Sequence, residues 1–363
     1  MKKFLALLLC MAMCMMAFAA VAEDMRVAMI TDYGDITDQS FNQTTYEAAK
    51  AYCEANGVDF TYYKPAGDST AERVAMVEKA VDEDYNVIVM PGYAFGETIA
   101  EVQGDYPDAK FIALDVSAGD LGGAEPAANV YCAVYQEELC GYMAGYAAVK
   151  LGYTHLGFLG GMAVPAVVRY GFGFVQGADA AAVEMGKADA VTVEYVYGNQ
   201  FYGDADITAY MDNWYQTMNV EVVFACGGGI YSSAAEAAAK VGAKVIGVDV
   251  DQAAIIDGQY GEGLTVTSAM KGLAATVNTL LAEVAAGNFA NYGGQVATLG
   301  LVGTDPDANY VQIAPSTQFS DSFTADDYAA LVAKMYNGEI TVSNAIDAMP
   351  AVSITVNDRG TVK

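Results

Sequence analysis

The sequence predicts an α/β protein of two Rossmann-like parallel-sheet lobes joined by a hinge, and three observations predict it. Short apolar runs alternate with longer amphipathic ones, which is the rhythm of β-α-β units with helices covering both faces of a parallel sheet. The rhythm pauses after residue 116 and begins again near residue 156, so the pattern occurs twice. The chain has 363 residues, which suits about two domains of roughly 100–200 residues, each able to bury a core.

Taken in order, residues 1–22 read as an export signal. Lys2 and Lys3 form a positive start, the run 4–18 is apolar and uncharged, and Ala20-Val21-Ala22 offers small residues for cleavage before Glu23. A membrane anchor would need about 20 apolar residues and no cleavage site. A lipid anchor on Cys10 or Cys14 is possible, but Leu9 and Met13 stand where a small residue is wanted, so there is no good lipobox. The mature chain is therefore expected outside the cytoplasmic membrane, periplasmic or associated with the cell surface.

Strands are expected at 26–31, 59–63, 86–90 and 110–116, with helices at 41–56, 69–82 and 96–106 between them. Residues 129–135 lead into a helix of small residues at 137–151. The second set has strands at 156–159, 191–197, 221–225 and 244–249 and helices at 167–186, 207–218 and 232–241. A last strand at 264–268 and a helix at 271–286 should complete one of the two sheets. The expected lobes are 25–135 plus about 264–300, and 136–263 plus about 301–363.

Composition narrows the function. With 17 Lys+Arg against 45 Asp+Glu the formal charge is -28, or -30 once Lys2 and Lys3 are removed. Such a surface does not suit nucleic acid, whose phosphates need cations, and it favours a monomer. The 25 Tyr and 14 Phe supply enough apolar area to exclude disorder as the main state. Cys53, Cys132, Cys140 and Cys226 lack the CxxC spacing of a zinc or redox site and read as buried free thiols rather than a disulfide framework. His155 is the only histidine, so a multi-His metal site has no basis and a structural role is expected for it; no cofactor is expected.

In sheets of this kind ligands bind at the carboxyl ends of the strands. There the chain places Thr31-Asp32-Tyr33-Gly34 with Asp38-Gln39-Ser40-Phe41-Asn42-Gln43, then Pro91-Gly92-Tyr93 and Asp115. The second set adds Gly160-Gly161-Met162, Asn199-Gln200-Phe201-Tyr202, Cys226-Gly227-Gly228-Gly229 and Asp249-Val250-Asp251. The glycine run has no following Lys-Ser or Lys-Thr to cradle a phosphate, and the carboxylates would repel one. Ionised Asp is acceptor-only and can take two hydroxyls, while aromatic rings offer a stacking surface, so a sugar or a nucleoside is implied. Asp32 and Asp38 also fit turn or N-cap roles, and Phe41 could be a core residue at a helix start.

Four of these stretches, Asp32-Tyr33-Gly34 through Asn42-Gln43, Gly157-Phe158-Leu159-Gly160-Gly161-Met162, Gly247-Val248-Asp249-Val250-Asp251-Gln252 and Thr267-Ser268-Ala269-Met270-Lys271, together resemble the basic membrane protein family. These are nucleoside-binding subunits of ABC importers on the type I periplasmic-binding fold, and the likeness covers nearly all of the mature chain. It implies a nucleoside ligand, with a mild preference for purines, and a membrane permease as partner. It implies that Phe41 and an aromatic from the other lobe, Phe201, with Tyr202 or Trp214 as substitutes, sandwich the base. Asp32 and Asp115 would accept from the base edge, Asp249 and Lys271 would bind the ribose, Gly228 would approach the sugar by its backbone, and Asn42, Tyr135 and Gln136 would be minor contacts. The alignment around Phe201 is loose, because Tyr202-Gly203-Asp204 replaces the family's Asp-Pro step. Two other readings compete: a sugar receptor of the same fold, and a calcium-dependent nucleoside hydrolase using Asp32, Asp35 and Asp38.

Overall fold

The computed structural model describes residues Met25–Lys363, so the expected export signal with Cys10 and Cys14 lies outside the described residues. Among these residues no helix is long and apolar enough to cross a membrane. The chain forms two compact units. The first holds residues up to Ile36, Asn42–Val134 and Leu273–Thr298, and the second holds Thr37–Phe41, Tyr135–Gly272 and Leu299–Lys363.

The first unit opens with β1 (Arg26–Ile30), α1 (Phe41–Asn56), β2 (Asp59–Tyr63), α2 (Thr70–Asp82), β3 (Val87–Pro91), α3 (Phe95–Val102), β4 (Lys110–Leu114) and β5 (Val130–Tyr135). The second follows with α4 (Glu137–Lys150), β6 (His155–Gly160), α5 (Pro165–Glu184), β7 (Thr192–Tyr197), α6 (Ala205–Gln216) and β8 (Val222–Cys226). It continues through α7 (Tyr231–Ala239), β9 (Lys244–Asp249), α8 (Ala253–Tyr260) and β10 (Thr265–Lys271). The chain then supplies α9 (Leu273–Ala285) and β11 (Gln295–Leu299), and finally β12 (Val311–Ile313), α10 (Ala325–Tyr336) and β13 (Thr355–Thr361).

The first sheet runs β11-β5-β4-β3-β1-β2 and the second β12-β10-β9-β8-β6-β7-β13. Pairs among β1 to β5 are parallel, as are those among β6 to β10, whereas β12 runs antiparallel to β10. Burial follows position in the sheet. Every residue of Val-Ile-Val-Met-Pro in β3 is buried, as a central parallel strand requires, whereas only Tyr63 is buried in edge strand β2. Helix starts follow local chemistry: the Ser69 hydroxyl accepts from Glu72 N ahead of α2, Pro165 opens α5, and Thr324 and Asp327 form a capping box on α10. Strand order reverses between β1 and β3 and again between β6 and β8, which marks the carboxyl ends of those strands as ligand positions in each unit.

One expected boundary is corrected. The strand anticipated from residue 264 does not join the first lobe: β10 lies parallel to β9 in the second sheet, and the chain leaves that unit after Gly272. The reason is local, because α8 between β9 and β10 makes a short parallel crossover, and its eight residues carry too weak a pattern to have been read as a helix. Cys53, Cys132, Cys140 and Cys226 are buried free thiols.

Helices α4 and α5 meet backbone to backbone. A Cβ on Gly141 would stand 2.0 Å from Tyr170 O, on Gly145 2.1 Å from Phe174 O, on Gly173 2.1 Å from Glu138 O, and on Gly177 2.0 Å from Tyr142 O. Each helix therefore presents two glycines four residues apart to the other's carbonyls, a close approach that only a missing side chain allows. Gly145→Ala should cost about 1–3 kcal/mol of stability, read as a lowered thermal or urea midpoint. Gly258→Ala in α8, where the new methyl meets open space, should be neutral or raise the midpoint, and an equal loss in both variants would refute the notch.

Candidate functional site

The two units repeat their strand ends, a feature that becomes visible once topology pairs β1 with β6, β3 with β8, β4 with β9 and β5 with β10. Lys110-Phe111-Ile112-Ala113-Leu114-Asp115-Val116 corresponds to Lys244-Val245-Ile246-Gly247-Val248-Asp249-Val250. Asp115 and Asp249 both sit in the left-handed region, at φ 60 and 66. Gly92 after β3 and Gly227 after β8 share positive φ, at 127 and 146. Left-handed backbone costs a non-glycine residue about 1–3 kcal/mol and gathers at functional sites; aspartate bears it better than most.

In the second unit Asp249 anchors a buried charge cluster. Ser40 Oγ donates to Asp249 Oδ2 at 2.6 Å, and Lys271 Nζ stands 3.7 Å from Asp249 Oδ1 and 3.6 Å from Glu137 Oε1. Arg169 Nε donates to Glu137 Oε2 at 2.6 Å. The Lys271 side chain is 3% exposed and Glu137 wholly buried. The ammonium lies 4.6 Å from the centre of the Phe41 ring, 5.4 Å from Tyr135 and 5.7 Å from Tyr170, within reach of cation–π attraction. The glycine notch between α4 and α5 is what lets Arg169 reach Glu137 at the first turn of α4. Beside it Glu138 is buried, and burial followed by the Glu137 charge pushes its carboxyl up to about 7.

Phe41 belongs to this unit because its segment is fastened there: Gln252 Nε2 donates to Gln39 O at 3.0 Å, next to the Ser40–Asp249 bond. Phe201 lies on the loop after β7 in the second unit, the unit with which Thr37–Phe41 also cluster, although Phe41 opens the first unit's helix α1. Gly228 adjoins it: a Cβ there would lie 2.8 Å from Phe201 O, and Gly229 N donates to that carbonyl at 2.8 Å. Gly161 leaves room for the Phe201 ring, since its Cβ would lie 2.4 Å from Phe201 Cδ1. Of the substitutes, Trp214 is a core residue packed against Gly157, and Tyr202 is 63% exposed.

In the first unit Asp32 follows β1 and is buried, accepting from Gly34 N at 2.8 Å. Burial raises its carboxyl from 3.8 to about 7, opposed by the Gly34 amide and the Arg73 charge. A Cβ on Gly92 would stand 2.2 Å from Asp32 Oδ2, so the turn after β3 closes over the carboxylate. Asn42, buried in the first turn of α1, packs on Gly34, and Asp115 closes β4. The three aspartates of the hydrolase reading go separate ways: Asp35 pairs with Lys64 at 2.8 Å, Asp38 accepts from Ser40 N, and Asp38 lies in the second unit. Among the described residues no three His, Cys, Asp or Glu gather where a metal ion could be held.

Sequence reasoning missed Ser40, Glu137, Arg169 and Tyr170. The available signal was charge in the wrong place: Glu137 and Glu138 open a helix of small apolar residues, and Arg169 is the only cation of the 20-residue α5.

The family model for Bmp, ABC transporter substrate-binding protein PnrA-like, matches residues 25–345, a stretch that stops before β13. An ABC transporter nucleoside-binding protein BmpA of Lactococcus lactis is 26% identical over 77% of this chain and 80% of its own. A CD4+ T-cell-stimulating antigen of Listeria innocua is 28% identical over 74% of this chain and 76% of its own. A crystal structure of ABC transporter solute-binding proteins from Aeropyrum pernix K1 superposes with a TM-score of 0.67 at 22% identity, covering 88% of this chain and 87% of that one, a likeness of fold.

Asp32 makes stability depend on pH in a defined direction. Its folded-state pKa of about 7 exceeds the ordinary 3.8, so the folded form keeps a proton that the unfolded form loses. The contribution is complete below pH 3.8 and is lost as pH rises through about 7. Asp32→Asn should therefore gain stability relative to the wild type between pH 4 and pH 8, on the order of 2–4 kcal/mol, in paired denaturation curves. A difference that stays flat with pH would mean that the carboxyl is not protonated in the fold.

Proposed function

Because the chain belongs to the Bmp family of PnrA-like ABC transporter substrate-binding proteins, we propose that it is an extracytoplasmic solute receptor that binds a nucleoside, preferably a purine, and delivers it to a membrane permease without chemical change. The observation that carries this reading is the Lys271 cluster: a buried ammonium between the Asp249 carboxylate and the Phe41 ring, at the strand ends where a ligand is expected. Asp249, held by Ser40 and facing Lys271, can accept both vicinal hydroxyls of a ribose, and Lys271 can donate to a ring oxygen or hydroxyl. The Phe41 ring, with the Lys271 ammonium 4.6 Å from its centre, is proposed as a stacking surface for the base. Phe201, with Gly228 beneath its carbonyl, is proposed as the second stacking ring. Asp32 and Asp115 are proposed as acceptors for base N–H groups, which suits a purine edge rich in donors. The relative named for nucleoside binding supports the ligand class.

Calorimetric titration with adenosine, guanosine, inosine, uridine, ribose and glucose tests the reading, with released base assayed alongside. Nucleosides should bind without turnover. Phe41→Ala should weaken nucleoside binding roughly tenfold and leave ribose unaffected, whereas Asp249→Asn should weaken both. Binding of ribose or glucose alone would replace the nucleoside reading with a sugar receptor, and base release would make the protein an enzyme.

A further inference from the structure

The last strand forms a built connection to the loop that carries Phe201. Strand β13 adds to the outer edge of the second sheet, parallel to β7, with Thr355 opposite Thr192 and Asp358 opposite Tyr195. Its side chains close on a buried carboxylate: Glu194, 2% exposed, accepts from Asn357 Nδ2 and Arg359 Nε, each at 2.8 Å, with His155 Nε2 at 3.4 Å. This ties the strand's position to a buried group that it alone, with His155, is shown to satisfy. The register then shifts between Asp358 and Thr361, with Gly360 at φ 68, and Val362 N donates to Tyr197 O at 2.8 Å. Lys363 is thereby delivered beyond the end of β7.

There Lys363 Nζ pairs with Asp204 Oδ2 and donates to Gln200 Oε1 at 3.3 Å. Those two residues bracket Phe201 and are themselves joined, since Gln200 Nε2 donates to Asp204 Oδ2 and to Tyr202 O, both at 2.9 Å. Asp204 also caps α6, accepting from Asp206 N and Ile207 N. The Ile207 amide and then Lys363 hold its carboxyl down at about 2, so the pair is ionised at any physiological pH. The loop thus has an inner fastening, Gly229 N to Phe201 O, and an outer one made by Lys363.

We propose that β13 is a strap for the ligand loop and that Lys363 is a positioning residue, which fixes the Phe201 ring by holding Gln200 and Asp204 from outside the site. The consequence for affinity rests on the proposed role of Phe201; the mechanical part does not. In Lys363→Ala, amide exchange across residues 199–204 should quicken severalfold while the rest of the second unit is unchanged. Nucleoside affinity should fall about two- to fivefold with ribose affinity and the melting midpoint unchanged, and Lys363→Arg should restore it. Unchanged exchange in the alanine variant overturns the strap, and faster exchange with unaltered nucleoside affinity overturns Lys363 as a positioning residue. Should the wild type bind no nucleoside, the function proposed above fails, and the exchange rates alone decide whether the strap exists.

Discussion

A single buried ammonium organises the strand ends of the second unit. Lys271 stands between Asp249 and Glu137, and Arg169 takes the other oxygen of Glu137, so the formal charges of the four groups cancel. Desolvating such groups costs several kcal/mol each, and losing one partner of a buried pair costs about 3–5 kcal/mol because a bare charge remains. The cluster therefore constrains everything that supplies it. Strand β10 must end in register with β9, α4 must start where Glu137 meets the ammonium, and α5 must lie close enough for Arg169 to arrive. The facing glycines of α4 and α5 serve that last demand, giving up side-chain packing for backbone contact.

The same constraint bears on how a chain so rich in carboxylates keeps one of them, Asp249, out of water beside a cation. Asp32 shows what burial does when it outweighs its partners: its carboxyl rises to about 7 although the Gly34 amide and the Arg73 charge oppose the rise. Glu138, buried beside Glu137, rises likewise. Asp249 has a hydroxyl donor, Ser40, on one oxygen and the Lys271 ammonium facing the other. A carboxylate that stays charged can accept two hydroxyls at once, whereas a protonated one must spend an oxygen as donor.

Most of the scaffold was legible because parallel strands buried on both faces read as continuous apolar runs, as Val-Ile-Val-Met-Pro of β3 and Val-Val-Phe-Ala-Cys of β8 show. Illegible were the elements whose stability comes from neighbours. Helix α8 is short, and only Ile256 of it is buried. Strand β13, Thr-Val-Asn-Asp-Arg-Gly-Thr, has the composition of a turn and is a strand because β7 offers an unpaired edge and Glu194 a buried charge. Within the charge cluster, Asp249 was singled out by its place at a strand end and by family likeness, and Lys271 by family likeness alone. Glu137 and Arg169 were not, since their meaning arises only from a contact between two helices that no spacing along the chain encodes.

The repeated strand ends sharpen what the cluster is for. Aligning Asp115 with Asp249 aligns Val130-Tyr131-Cys132-Ala133-Val134-Tyr135 with Val266-Thr267-Ser268-Ala269-Met270-Lys271, so Tyr135 is the counterpart of Lys271. The chain leaves the first unit after Val134 and the second after Gly272, nearly the same point of the repeat. Of these matched residues one is an aromatic and the other a cation, and they meet, with the ammonium 5.4 Å from the Tyr135 ring. A duplicated scaffold with identical ends would present like carboxylates and like charges throughout. Lysine at one of two matched positions breaks that equivalence: Asp249 has a buried ammonium 3.7 Å away, supplied from the position where the first unit's repeat carries the aromatic Tyr135.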